Sequence, residues 1–525
     1  MVNLLTKLDG AIWSTPVIVM LLTISVVYLV AIRFGTLRNW KLQKQMLGAS
    51  DLEDDGLSPL ETFFTVTAYS VAVGNVAGVA LAISYGGPGA LFWMIVTSLL
   101  TTGIAFAENV LGQTYKTPQD GQFRGGPYNY MEKGLNAKWL GIIFALLALF
   151  GVPLIVSGQS ANQISLAFKS SLGIDPVVCG IVIAVLLFFI ISGGINRIAK
   201  FSSIIVPIMT SMYLIICILV MVVNRANIPT MFSNIISGAF NKGSVFGGMM
   251  GTAVAYGVKR SVNSSGSGMG ETPCTAATAN NRHPVQQGMI NAMAVFVNAA
   301  VCLCSGFMIL VSDCYNVTKV ANTPLKGFKY VGSGSTYMKY AAQHKLAADI
   351  TWVQSAANTA VPKFGGIIIA LALTFFAFST CVAYYYEGES ALAYLMRNSN
   401  QKRRDIAIWV LRIAMPVMFF VWSTKSADMA WKGGEIALGL MVWVNALCMV
   451  PFFPKVVKLY NDFMAQWKAG KDPYFNPKKL GFKNCDIWMD INKDRIEADG
   501  GPYESTEEKT ESKAYSSAET QLEAK

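Results

Sequence analysis

The sequence predicts an all-α polytopic membrane protein with about eleven transmembrane helices. Three observations carry that prediction. The 525 residues are 53% hydrophobic and only 14% charged, whereas soluble domains are nearer a quarter charged. The hydrophobic residues gather into runs of about 20 or more, the length that crosses a bilayer as helix. Two of these runs are interrupted by glycine: Val71-Ala72-Val73-Gly74-Asn75-Val76-Ala77-Gly78 and, just past the middle of the chain, Ser264-Ser265-Gly266-Ser267-Gly268-Met269-Gly270. Lipid cannot hydrogen-bond a bare backbone, so a broken helix at that depth must face protein or water. Two such breaks in corresponding halves of a chain point to a transporter's binding site.

The first run, about 12–32, is too long for a signal-peptide core and is followed at once by Arg33, Arg38, Lys41 and Lys44, so it reads as a retained span. The others are expected at about 60–85, 89–111, 139–168, 176–194, 201–223, 244–278, 286–312, 364–396, 405–424 and 434–454. Several contain glycine and exceed 25 residues, as tilted or interrupted helices would. Lysine and arginine crowd into one set of alternate loops (Arg33 to Lys44; Lys116, Arg124, Lys133 and Lys138; Arg197 and Lys200; Arg282; Arg397 to Arg404). The opposite set holds Lys7, Lys169, Arg225, Lys242, Lys425 and Lys432. The richer set is cytoplasmic by the positive-inside rule. That places the N-terminus outside and the C-terminus in the cytoplasm of a multi-pass protein of the plasma (inner) membrane. The long outer loop, about 313–362, says less, because charge in long loops orients weakly.

The same short loops account for the +11 net charge, with no basic patch interleaved with aromatics to suggest nucleic acid. The organisation expected is a leading helix and linker (1–57), a membrane core (58–454) and a cytoplasmic tail (455–525). The tail starts basic, and its Glu-, Ser- and Lys-rich end, from Tyr503, is too poor in large apolar residues to fold alone. Nine scattered cysteines, most in apolar segments, give no disulfide framework. His283 and His344 form no metal-like pairing, and no Ser-His-acid set or phosphate loop is present, so no enzyme is predicted.

At the first break Gly74 and Gly78 weaken the helix, by up to about 1 kcal/mol each, and Asn75 between them offers a donor and an acceptor. If the helix unwinds here, its outer half begins near Val76 to Gly78 with free N–H groups and a positive dipole end suited to a carboxylate. Its inner half ends in free carbonyls suited to a cation or an ammonium. The same Gly-x-x-x-Gly spacing also serves close helix packing. The second break, with three glycines and Ser264, Ser265 and Ser267, cannot make a firm lipid-facing helix. Lys259 and Arg260 just before it and Glu271 just after are charges that at this depth usually face the bundle interior, unless the two basic side chains snorkel. In Phe376 to Cys381, Ser379 and Thr380 either bond back to a carbonyl one turn earlier or supply hard oxygens to a small cation. Tyr384, Tyr385, Tyr386, Glu387 and Glu389 make that helix unusually polar. Glu108, the one acid of the third span, reads equally as an interfacial or a coupling group. Gln159, Asn162 and Gln163 could bond to a solute or to a neighbouring helix.

At these residues the chain resembles the alanine or glycine:cation symporter family, also called sodium:alanine symporters. The likeness runs from about Ser58 to Pro454. It is carried by Gly74-Asn75-Val76-Ala77-Gly78-Val79, by Gly86 to Met94, and by Phe106-Ala107-Glu108. Further pieces are Gly125-Gly126-Pro127-Tyr128, Gly194 with Arg197-Ile198-Ala199-Lys200, Gly257-Val258-Lys259-Arg260, Gly268-Met269-Gly270 and Phe376 to Thr380. The resemblance implies a five-plus-five inverted-repeat transporter with one extra leading helix, the repeats covering about 58–223 and 244–454. It implies sodium-coupled uptake of a small neutral amino acid by alternating access, with sodium as coupling ion and no other cofactor. The two breaks would fall on core helices one and six, and Ser379 and Thr380 on core helix eight, where such transporters place sodium. Carbonyls of Ser70 and Val71 would complete that ion site. Val73, Gly74, Asn75, Gly78, Ser160, Ser265, Gly266, Ser267, Gly268 and Tyr384 would surround the solute.

The sequence departs from the family pattern at three points. Ala72-Val73-Gly74-Asn75 stands where the family usually has Gly-Thr-Gly-Asn. The second break lacks the asparagine and glutamate of Ser-Asn-Glu-Ala-Gly-Met-Gly. Tyr384 replaces a tryptophan. Glu271 lies five residues beyond the missing glutamate, about 140° round and roughly 7.5 Å along an ideal helix, so it is no simple substitute. The alternative these departures raise is a proton-coupled or altered-substrate amino-acid carrier of the same fold.

Overall fold

A computed structural model of the chain describes residues 2–48, 56–240, 249–315 and 349–500. Among these, eight helices are long and apolar enough to cross a membrane, and Ala77–Gly86 and Pro176–Ile191 are shorter apolar helices. One two-stranded hairpin, Thr117–Gln119 against Gln122–Arg124, is the sheet among the described residues. The chain is an all-α polytopic membrane protein. Residues 49–55, the expected start of the seventh run at 244–248, the outer-loop residues 316–348 and the polar end at 501–525 lie outside the described residues.

Local chemistry sets the helix ends. Ser58 and Glu61 form a capping box, and Pro59 supplies the first turn of Pro59–Ser70. That helix stops at Val71 (φ −91°, ψ 80°) and Ala72, which is fully extended. A single 3-10 turn, Val73–Asn75, leads into Ala77–Gly86. The second broken helix consists of Met249–Ser265 and Thr272–Ala276. Gly266, Gly268 and Gly270 between them all have positive φ (66°, 80° and 80°), a region closed to most side chains. Beyond the breaks, Leu57 pairs with Ala279 as a short parallel bridge, so the segments leading into one broken helix and out of the other are tied together.

Two helices flank the breaks, Gly89–Thr114 and Gly365–Leu395. Lys138–Leu172 carries Pro153 inside a π-helical turn, Val152–Val156. Within this turn Ser157 Oγ donates to Pro153 O at 2.6 Å and Trp422 Nε1 to Leu154 O at 2.8 Å, so side chains supply donors where the helix is irregular. The last long helix, Ala427–Lys468, runs 42 residues, well past the expected 454. Its prolines, Pro451 and Pro454, do not end it. Two further helices, Ile228–Phe240 and Ile350–Ala360, fill segments read from the sequence as connections.

The tail is folded as far as residue 500. Phe475, Cys485 and Trp488 are buried, and Trp488 Nε1 donates to Thr114 O at 3.1 Å. Nothing in the charge pattern of 455–525 signalled this packing; the aromatics inside it were the available clue. All nine cysteines are free thiols.

Candidate functional site

The two breaks meet in the interior. Ser70 Oγ, at the end of Pro59–Ser70, donates to Ser265 O at 3.3 Å, at the end of Met249–Ser265. Helix-terminal carbonyls otherwise lack partners, so this contact joins the places where each helix gives out. Val73, Gly74 and Asn75 are buried in the 3-10 turn. The Asn75 side-chain amide turns to Pro284–Val311, lying 2.6 Å from the Asn298 side-chain amide, and its backbone carbonyl accepts from Ser305 Oγ at 2.6 Å. Asn75 therefore fixes the first break to that helix.

Glu108 lies against the second break. Its Oε1 accepts from Gly268 N at 3.1 Å and its Oε2 from Gly270 N at 3.2 Å and Asn445 Nδ2 at 3.0 Å. Asn445 also donates to Gly268 O at 3.1 Å. A fully buried carboxylate thus satisfies backbone donors that the glycine turns leave without helical partners. Sequence reasoning balanced an interfacial against a coupling role for Glu108; its neighbours give it the work of strapping the break. Ser267 and Gly268 lie within this turn, and Ser267 Oγ is buried with no hydrogen-bond partner.

Glu271 corrects an expectation. Its Oε2 stands 2.6 Å from where a Cβ on Gly266 would be. The helical offset of five residues suggested two unrelated positions, but three positive-φ glycines fold the chain back, and the carboxylate returns to position 266. Glu271 is 2% exposed, and its Oε1 is buried without a partner.

On the facing helix, Thr380 Oγ1 lies 2.8 Å from Ala68 O, 3.3 Å from Val71 O and 2.9 Å from Phe376 O. Ser379, just before it in sequence, bonds to the same Phe376 O at 2.9 Å but otherwise faces Met209 Sδ at 3.6 Å. The two hydroxyls share the Phe376 carbonyl, and only that of Thr380 also reaches the broken helix. One turn on, Tyr384 packs edge-on against Tyr69, with centroids 4.9 Å apart. It lies within electrostatic reach of both Glu271 and Arg260. Ser160 lies within hydrogen-bonding reach of Cys381 on this helix. The polar residues around it bond to protein: Gln159 Nε2 to Trp431 O at 3.2 Å and Asn162 Nδ2 to Lys425 O at 2.7 Å.

The two basic residues before the second break do not snorkel. Lys259 Nζ pairs with Asp9 at 2.9 Å and Glu435 at 2.7 Å, joining residues from both ends of the chain. Arg260 is buried against the first break. A Cβ on Gly74 would stand 2.5 Å from its Nη2, and one on Gly78 would stand 2.5 Å from its Nη1. The Gly-x-x-x-Gly spacing is therefore a notch for a guanidinium rather than for a neighbouring helix. Both basic residues line a cavity of about 240 Å³ with Gly78, Tyr85, Trp431 and Glu435.

Comparison with known proteins supplies the context for this arrangement. The model of the sodium:alanine symporter family matches residues 1–477. Protein YrbD of Bacillus subtilis (strain 168) is 37% identical over 493 residues, 93% of this chain and 98% of its own. The sodium/proton-dependent alanine carrier protein of Bacillus sp. (strain PS3) is 34% identical over 436 residues, covering 82% and 94%. The sodium/alanine symporter AgcS of Methanococcus maripaludis is 30% identical over 473 residues, covering 88% and 97%. With a family match over most of its length and relatives that align nearly end to end, this chain belongs to the sodium:alanine symporter family, a family of transporters and not of enzymes.

Proposed function

We propose that the chain is a secondary active symporter that takes up a small neutral amino acid, of the alanine, glycine or serine class, together with sodium by alternating access. The observation that carries this reading is the oxygen cluster around Thr380. Its hydroxyl has one proton to donate, yet three carbonyls, from Ala68, Val71 and Phe376, lie around it. Lone pairs are left converging where the first helix breaks, and such hard oxygens suit a small cation. Thr380 and the Val71 carbonyl are thus retained in the cation site, joined by the Ala68 carbonyl. Ser70 borders it, while Ser379, which touches the Phe376 carbonyl but otherwise faces the Met209 thioether and not the broken helix, fits less well.

The solute would lie between Val73, Gly74 and Gly78 of one break and Ser265, Gly266, Ser267 and Gly268 of the other, with Tyr384 alongside. Asn75 and Ser160 would shape the pocket through Asn298 and Cys381. In this reading eleven spans form one leading helix (with its linker, 1–57) and two inverted repeats of five, about 58–223 and 244–454. The protein sits in the plasma membrane, with the N-terminus outside and the tail from 455 in the cytoplasm. Cation binding would draw the first broken helix to the Thr380 helix and favour the solute-binding arrangement, since a ligand shifts states only by its differential affinity.

The test is uptake of labelled alanine, glycine and serine into proteoliposomes under an imposed sodium gradient. Flux that follows the sodium gradient is expected; flux indifferent to sodium would remove the ion assignment. Proton coupling is the second reading, favoured by the buried Glu271 carboxylate beside the second break and by the sodium/proton-dependent relative. Uptake driven by a pH gradient alone would decide for it.

A further inference from the structure

Arg260 is a buried cation with Glu435 in electrostatic reach but no carboxylate at ion-pair distance among the described residues. It is 6% exposed, its Nε has no hydrogen-bond partner, and it makes no ion pair among the described residues. Three acids line the same cavity, Asp9, Asp428 and Glu435; Asp9 and Glu435 hold Lys259, and none forms an ion pair with Arg260 among the described residues. Arg260 packs on an aromatic ring and against the start of a helix. Its Cζ lies 5.1 Å from the Trp431 ring centroid, and its two terminal nitrogens rest in the notches of Gly74 and Gly78. Gly78 belongs to the first turn of Ala77–Gly86, and a helix N-terminus carries partial positive charge. A guanidinium against that end is unfavourable unless an anion joins them, and burial raises the cost of leaving it unpaired. The cavity of about 240 Å³ reaches this point, with room for a molecule of a few heavy atoms.

We propose that Arg260 is the receptor for the carboxylate of the transported amino acid, entered through this cavity, with the N-terminal end of Ala77–Gly86 as its second donor. The assignment rests on the transport reading above and deepens it. The free carboxylate becomes a requirement for recognition, so esters and amides of the same amino acid are excluded. A planar fork with fixed donors suits a carboxylate better than a lysine ammonium does. Inorganic anions share this chemistry, and chloride is the competing source.

The test is thermal stabilisation of the purified full-length protein, wild type, Arg260→Gln and Arg260→Lys, by L-alanine or L-alaninamide, in sodium or choline, as chloride or gluconate. Wild type is expected to respond to alanine and not to alaninamide. Arg260→Gln should lose about 10- to 100-fold in alanine affinity, while its response to sodium alone persists. Arg260→Lys, which keeps the charge, should fall between, and it decides the matter through its ratio of alanine to alaninamide affinity if the glutamine variant does not fold. Equal alanine affinity in wild type and Arg260→Gln, with sodium response intact, would overturn this assignment alone and leave Arg260 as packing. Stabilisation by chloride that alanine does not add to would overturn it in favour of an inorganic anion. A wild type that responds to no amino acid in any buffer would overturn the transport reading together with it.

Discussion

Glu108 does at the scale of one residue what a helix would otherwise do for itself. Its two oxygens receive three donors, the amides of Gly268 and Gly270 and the Asn445 side chain. Replacing one oxygen with NH₂ sets a donor against donors. Glu108→Gln should therefore leave one backbone N–H without an acceptor, at about 1–3 kcal/mol. The expected outcome is a lower midpoint of thermal unfolding together with a loss of uptake; unchanged values in both would remove the strap. Legibility in the sequence divides at this scale. Glu108 stood out as a lone acid in an apolar run, but its partners lie 160, 162 and 337 residues away, and no spacing rule reaches that far. Glu271 was misjudged for a different reason: its displacement was measured along a helix that the positive-φ glycines abolish.

The element scale was the most readable. Glycine-rich interruptions inside apolar runs predicted both breaks, because conformational cost and lipid's lack of hydrogen bonds act locally. Eight of the predicted runs coincide with helices long and apolar enough to span; ends were missed where a helix runs on without a composition change, as Ala427–Lys468 does, and Ile228–Phe240 and Ile350–Ala360 were missed outright. Contact between elements was legible only in part. Ser379 and Thr380 read as a pair, yet successive residues on a helix point about 100° apart, and only Thr380 reaches the broken helix, through Ala68 O and Val71 O. Thr380→Val removes the oxygen and preserves the shape. It should raise the sodium concentration for half-maximal uptake by about tenfold, equivalent to about 1.4 kcal/mol, with little change in maximal rate at saturating sodium. Ser379→Ala should move the same quantity by less than twofold. Equal effects of the two substitutions would reject the division of roles.

Across the whole molecule, the tail beyond the last long helix packs against loops that lead to and from the breaks. Trp488 Nε1 donates to Thr114 O, capping the end of the Glu108 helix. The same ring and Phe123 enclose Lys116 Nζ, at 4.5 Å and 4.3 Å from their centroids, and Lys116 donates to Ala279 O at 2.9 Å, just after the second broken helix. Asn492 Nδ2 bonds to Arg282 O and Phe475 O, both at 2.9 Å. The tail was legible only as polar sequence, since its few aromatics are diluted by charge and the acceptor for Trp488, Thr114 O, lies 374 residues upstream. Its burial leads to a graded expectation. Trp488→Phe keeps the ring and loses one hydrogen bond, about 1 kcal/mol. Trp488→Ala empties a buried site and uncovers Lys116, about 3–5 kcal/mol. Thermal unfolding in detergent should rank wild type above Trp488→Phe and both above Trp488→Ala, with the sodium dependence of uptake unchanged in the phenylalanine variant. If Trp488→Ala matches wild type, the tail contributes nothing to holding these loops. If it instead alters uptake while leaving stability untouched, the tail acts on the transport cycle rather than on the fold.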